Sequence, residues 1–463
     1  MNGARGALGA WLCAVSLAAS AAPAFVMEKQ LTFAPANHDL DNGDNFSPDD
    51  RWLVFDTRAE DTAIAGNAVI ARVNVATGEL AEIHREPHPQ PWGPGVGAPC
   101  VDATTGRVAF LRGLDRASAA RPYAMWRRTG VAVDPAAPGR LQFLDARDVI
   151  APFTPGALRG GTHRHEWSAD GQWIGFTYND ALLAEREARS GQRADLRTIG
   201  VAMRRAAGPV VVPPGPENVR GEMFAAVVVR VVPSPRAGSD EVSRAFEDAW
   251  VGRDGYRRAD GRMQRRARAF LGNVRGPDGR EFTEVFIVDI PERIDVPGDA
   301  GPLEGTPTTM PNPPRGAVQR RLTFTADRKF PGAVLAPRHW VRSSADGTRI
   351  VFLAKDDGGI VQAFFVPPEG GAIRQVTRHA TSIQSCVRWS PDGAHLLYVC
   401  GGAITICDAR QDAVTFGRTR VLTPPAVSAP ESPVWSHDGR TIAFNRREPA
   451  DQRGWKQIFL VRP

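Results

Sequence analysis

The sequence predicts an all-β protein, a seven-bladed β-propeller whose N-terminal strand closes the last blade. Two observations carry this. A short phrase recurs with a fixed period near the C-terminus: Ser344-Ala345-Asp346-Gly347, Ser390-Pro391-Asp392-Gly393 and Ser436-His437-Asp438-Gly439, with the aspartates 46 residues apart both times. Each copy is followed by an apolar run such as Ile350 to Leu353, Leu396 to Val399 or Ile442 to Phe444. A tight turn feeding a β-branched or aromatic strand every forty-odd residues is what a propeller blade requires. Aspartate suits the turn because it bonds its own backbone, and glycine because it tolerates positive φ. One blade cannot bury its own face, so the blades must close into a ring.

Taken in order, the chain opens on an export-type leader. Arg5 supplies a positive charge, Ala7 to Ala19 is apolar, and Ala19-Ser20-Ala21 and Ala22-Pro23-Ala24 are small-residue cleavage sites. A signal peptide over residues 1–24 predicts a periplasmic protein; a true start at Met27 would instead make it cytoplasmic. The propeller occupies 28–463. Turn markers stand at Asp49, Thr105-Gly106, Asp170, Asp346, Asp392 and Asp438. The gap between 170 and 346 holds one further blade, with strands expected at Met223 to Val232, Ala267 to Val274 and Glu284 to Ile290. An insertion is expected at about 233–265. Inside it Val242, Phe246 and Trp250 are spaced by four, which predicts a short amphipathic helix over Asp240 to Trp250. Pro291 to Pro314 reads as a loop.

A second motif marks the outer strands: Arg321-Leu322-Thr323, Gln375-Val376-Thr377 and Val421-Leu422-Thr423. The chain ends one strand short of a blade, at Ile458 to Val461. Gln30-Leu31-Thr32 supplies the missing piece, which covers an edge that would otherwise pair with other chains.

Composition narrows the function. There are 57 basic and 51 acidic residues, a net charge of +6, and the arginines are scattered. That argues against a nucleic-acid face. No apolar run beyond the leader approaches the ~20 residues of a membrane span. Cys100, Cys386, Cys400 and Cys407 form no CxxC pair, which excludes zinc-ribbon and thioredoxin readings. Cys400 and Cys407 could face each other across a hairpin, but buried free thiols are the simpler expectation. No nucleophile elbow, P-loop or dinucleotide fingerprint is present. A peptidase would need a hydrolase domain behind the ring, so a serine peptidase is not expected.

The outer Leu-Thr strand followed by Trp-Ser-Pro-Asp-Gly resembles the TolB-type propeller. Longer stretches, including Ala151 to Gly161, Phe176 to Asp180, Gly238 to Glu241, Trp250 to Gly252 and Pro337 to Arg342, resemble the YidR-like family of bacterial proteins over nearly the whole chain from Gln30. That resemblance implies the fold and carries no settled activity. A more distant resemblance is to oligogalacturonate lyases, seven-bladed propellers that hold a divalent metal with three histidines and a glutamine and cleave uronate chains by β-elimination.

Counting back from the residue before each turn places His163 four and His165 two before Trp167, His339 four before Ser343, and Gln384 five before Trp389. These positions lie where the innermost strands begin. His163 and His165 are two apart, so on a regular strand they share a face, and a His-x-His pair is a common start to a metal site. His163, His165, His339 and Gln384 are therefore the expected ligands of a divalent metal, with manganese favoured by the amide oxygen. The competing expectation is that such histidines bond backbone carbonyls. Arg338, Arg342 and Arg159 are the candidate catalytic residues, since arginine's fork suits a carboxylate ligand; Arg342 could equally pair with blade carboxylates. Two functions follow: a metal-dependent lyase on acidic oligosaccharides, or a non-catalytic propeller that binds a glycan or protein partner at the cell envelope.

Overall fold

The computed structural model describes residues 25–41, 43–60, 62–449 and 454–463. The leader lies outside the described residues. Seven antiparallel sheets follow one another along the chain. Blade two runs Val96–Val101, Val108–Gly113, Arg128–Val133 and Gln142–Phe143; blade three runs Gly160–Trp167, Trp173–Asp180, Thr198–Arg204 and Met223–Val227. Blade four comprises Ala245–Trp250, Ala267–Arg275, Glu281–Asp289 and Val318–Arg321. Blades five and six begin at Arg342–Ser343 and Arg388–Trp389 and end at Arg374–Gln375 and Thr419–Val421. Blade one has three strands, Trp52–Asp56, Val69–Asn74 and Leu80–Arg85. Its innermost position is held by the bridges Asp39 to Asp56 and Phe46 to Leu53.

Blade seven is closed as expected. Glu431–Trp435, Ile442–Glu448 and Trp455–Val461 come from the C-terminus, and Lys29–Gln30 pairs opposite Leu460 and Phe459 as the fourth strand. The Glu28 carboxylate clamps Arg446 at 2.6 Å beside this seam.

The two repeated motifs have direct physical duties. In each turn the serine hydroxyl donates to the aspartate and accepts a backbone N–H five residues on. Ser168 does so with Asp170 at 2.6 Å and Trp173 at 3.0 Å, and Ser436 with Asp438 at 2.6 Å and Thr441 at 2.9 Å. Blade one replaces the turn glycine with Asp50, which still adopts φ +56°. Its carboxylate accepts the backbone N–H groups of His437 and Asp438, so this departure from the repeat ties the first turn to the last. In the outer motif the threonine hydroxyl accepts an N–H from the neighbouring strand. Thr323, Thr377, Thr423 and Thr32 accept from Val285, Ala363, Ile404 and Ile458 at 2.9–3.0 Å.

The core lies between blades. Cys100, Ala109 and Ala132 of blade two pack with Trp167, Ile174 and Phe176 of blade three; Phe246 and Leu271 of blade four pack with Phe352 and Phe364 of blade five. Burial of this kind stabilises by about 25 cal/mol per Å², and it links each blade to the next.

Three expectations are corrected. Asp240 to Trp250 is not a helix: Ala245–Trp250 is the innermost strand of blade four. The spacing of four marks no single face: a bulge between Phe246 and Ala249 turns Phe246 toward blade five and Trp250 to the opposite side, while Val242 precedes the strand. The stretch 233–265 is accordingly part of the blade, with a small ribbon of Tyr256–Arg257 and Met263–Gln264 in its first turn. Met223–Val227 closes blade three rather than opening blade four. The helix of the described residues is Ala181–Ser190, N-capped by Asp180 and ended by Gly191 at φ +67°. It follows the second strand of blade three.

Candidate functional site

The innermost strands share an irregularity. In blades two, three, four and seven the register slips by a bulge, at Ala98, Arg164, Glu247 and Ser432, all with φ between +48° and +53°. A left-handed non-glycine residue costs about 1–2 kcal/mol, and a bulge re-aims the side chains around it. In blades three and seven the bulged residue stands four before the turn serine, and Trp340 holds that position in blade five. Ala98, Arg164, Glu247 and Trp340 all line one cavity of about 380 Å³ at the channel mouth, on the side where the innermost strands begin.

The bulge also explains the fate of the histidines. Arg164 breaks the parity of the strand, so His163 and His165 do not share a face. His163 Nε2 lies 2.7 Å from Asn179 Oδ1, and Arg128 donates to its Nδ1. Because a guanidinium can only donate, this network assigns a neutral ring with its proton on Nε2. Burial, with Arg128 adding to it, holds His163 well below the ordinary histidine range. His165 turns toward blade two, with Nε2 3.1 Å from Thr162 Oγ1 and 3.7 Å from Asp145. His339 Nε2 accepts the Leu353 N–H at 3.2 Å, and its Nδ1 lies 3.2 Å from the Pro337 carbonyl; burial brings it down to about 4. Gln384 is exposed and accepts the Gly402 N–H at 2.7 Å, at the hairpin of blade six.

The four expected metal ligands are therefore not assembled. Among the described residues no group of three or more His, Cys, Asp or Glu side chains is placed to share a metal ion. His163 and His339 each have both ring nitrogens engaged, so the residues present do not suit the manganese site expected from the sequence. The four cysteines outside the leader are free and buried; Cys400 stands opposite Ala403 and Cys407 opposite Leu396, so the hairpin does not pair them.

The candidate arginines divide three ways. Arg159 is fully buried, bonded to Asp180 Oδ2 at 3.0 Å through Nε and to the Thr309 carbonyl at 2.9 Å. It fastens the Pro- and Thr-rich loop to blade three, so its catalytic assignment is withdrawn. Arg342 pairs with Glu166, deeper in the channel. Arg338 lines the mouth, pairs with Glu247 at 3.2 Å and stacks over Trp340 at 4.6 Å.

Sequence reasoning missed the rest of the mouth. Arg58, Arg128, Arg164, Arg197 and Arg244 line it together with Arg338, against the carboxylates Asp41 and Glu247. Only the repeat could have indicated Arg164, through its place four before the turn serine. Arg128, Arg197 and Arg244 come from loops and strand ends with no motif. The two sides of the mouth differ. Arg58 bonds Asp56 at 2.9 Å and Asp41 at 3.3 Å. Arg164 of blade three reaches the Asp41 carbonyl of blade one at 3.2 Å and stacks on Trp340 of blade five, so its guanidinium crosses the channel as a floor. Burial would raise the Asp41 carboxyl, but Arg58, Arg164 and Arg338 hold it well below the usual range. Burial, reinforced by Arg342, Arg388 and Arg338, brings Arg164 down to about 9 despite Asp41. Burial and the nearby Arg244 and Arg128 bring Arg197 down to about 10. Arginine keeps its proton at physiological pH, so these shifts register crowded positive charge.

These sheets and this mouth define a seven-bladed β-propeller with an arginine-lined channel. Within that class the chain belongs to the YidR family. It is 40% identical over 420 residues to "Uncharacterized protein YidR" of Escherichia coli (strain K12), covering 90% of this chain and 94% of that one. A family described as "Protein of unknown function (DUF3748)" matches residues 95–217. Among solved structures, a prolyl endopeptidase aligns with a TM-score of 0.46 at 12% identity; the alignment covers 88% of this chain and 48% of that one, so the chain spans about half its length. TolB from Acinetobacter baumannii aligns at 0.36 and 14%, over 90% of this chain and 84% of that one. With TM-scores this low, the fold rests on the sheet pairing itself.

Proposed function

We propose that this propeller binds a small acidic ligand, of the uronate-type sugar class, in the mouth of its channel. One observation carries the reading: six arginines and two carboxylates line a single cavity of about 380 Å³. A cavity of that size lies at the small end of ligand sites, roughly 300–1,000 Å³. Guanidinium groups recognise carboxylate and phosphate by paired donors, and a ligand anion would relieve the crowding at Arg164 and Arg197. Binding is favoured over β-elimination because the histidine at the mouth, His163, already gives its lone pair to Arg128. Calorimetric titration with galacturonate oligomers tests it. Arg244→Gln removes one charge-assisted contact, so affinity for the oligomers is expected to fall on the order of tenfold or more, with the melting temperature preserved. Equal affinity in wild type and variant would remove the mouth from consideration.

A further inference from the structure

The cationic excess of the mouth is confined to one side of it. Among the described residues, Arg128, Arg197 and Arg244 have no carboxylate within ion-pair distance. Arg128 donates to the Thr162 carbonyl at 3.1 Å, to the Tyr123 hydroxyl and to His163. Arg197 donates to Asn179 Oδ1 at 3.0 Å and to the Met125 sulfur at 2.9 Å. Arg244 lies over the Phe246 ring at 4.6 Å. These partners are all neutral. The Glu247 charge reaches Arg197 and Arg244, but Arg338 already engages that carboxylate at 3.2 Å. Across the cavity the balance differs: Arg58 and Arg164 face Asp56 and Asp41, two cations against two anions.

A single carboxylate has two oxygens and satisfies one arginine bidentately or two arginines singly. It leaves part of a three-arginine cluster uncompensated. We infer that the natural ligand presents two negative charges to the side of the mouth formed by blades two, three and four, through Arg128, Arg197 and Arg244, with its neutral, hydroxyl-bearing end directed over Asp41. Either two neighbouring carboxylates or one phosphate ester would supply this charge. The orientation follows from the same contrast, since the charge-balanced Asp41 side offers an anion no net attraction while its carboxylate accepts hydroxyl donors. This rests on the acidic-ligand reading above and adds the ligand's charge and its direction.

The test is a calorimetric series on the full chain with galacturonate, digalacturonate, galactose 6-phosphate and neutral galactobiose. The dicarboxylate or the phosphate ester is expected to bind at least tenfold more tightly than galacturonate, and which of the two does so identifies the source of the dianion. Arg197→Gln and Arg244→Gln should each bring that ratio toward one while affinity for galacturonate changes less. Circular dichroism melting of both variants establishes that they fold. Galacturonate binding as tightly as both dianions would overturn the dianion inference and leave the acidic-ligand reading standing. Acidic ligands binding no better than galactobiose would sink that reading, and this inference with it.

Discussion

Two groups of arginines lie in neighbouring parts of the channel and behave in opposite ways. Below the mouth, Arg268 bonds Asp248 at 2.7 Å and Glu166 at 2.6 Å, and Arg342 completes the cluster on Glu166. Two guanidiniums meet two carboxylates, joining blades three, four and five. At the mouth, Arg128, Arg197 and Arg244 have only neutral partners. The residue type is the same, and charge balance separates the two duties. A buried arginine matched by carboxylates is part of the frame, whereas one pressed against other arginines in a cavity is available to a ligand.

The largest expected effect breaks the balanced cluster. Glu166→Gln would leave Arg268 with Asp248, take from Arg342 its bonded carboxylate, and turn an amide N–H₂ toward a guanidinium. Removing one member of a buried ion pair costs about 3–5 kcal/mol. Urea unfolding should show that loss. A midpoint within error of wild type would mean that the cluster is not structural and that the contrast with the mouth is false.

How far the sequence revealed each region follows the same division. The repeated Ser-x-Asp-Gly and Leu-Thr phrases act within a blade, so the ring, its count of blades and the closing strand at Lys29–Gln30 could all be read from them. The mouth could not. Strand parity alone puts His163 and His165 on one face, and the left-handed turn at Arg164 removes that parity. Arg128, Arg197 and Arg244 converge from different blades, and no local spacing encodes a convergence of that kind. His339 shows a further limit. Its position suits a ligand, while its ring is held by the Leu353 N–H and the Pro337 carbonyl, which is the competing expectation from the sequence.

Acid gives a second, smaller effect that separates buried histidine from buried arginine. Burial lowers His339 to about 4 from an ordinary 6.5, so between these values the unfolded chain binds more protons than the folded one. Stability is therefore complete above pH 6.5 and falls as pH drops toward 4, by about 3 kcal/mol for this group. His163, also held low, adds to the loss in the same direction. The arginines stay charged throughout and contribute nothing to this slope. The buried Asp39 and Asp195, which burial raises to about 7 and about 6, oppose this loss over the same range, so in denaturation midpoints measured from pH 7.5 to 4 the diagnostic is that His339→Gln flattens the fall. An unchanged slope in that variant would show that His339 is not what titrates.

The smallest expected effect is the sharpest test of the mouth. Arg244 is half-buried, forms no ion pair among the described residues, and is lowered by burial and by the like charges of Arg193 and Arg338, with Glu247 opposing. Arg244→Gln takes one cation out of a crowded group. Surface changes of this kind stay within about 0.5 kcal/mol, and here the sign should be stabilising. Salt gives the diagnostic. Screening weakens repulsion between partly exposed charges within roughly 10 Å at 0.1 M, so the wild-type protein should gain stability between low and moderate salt, and the variant should gain less. A destabilised Arg244→Gln with unchanged salt dependence would mean that Arg244 is packed into the frame like Arg268, and the distinction between the two arginine groups would then end at Arg197.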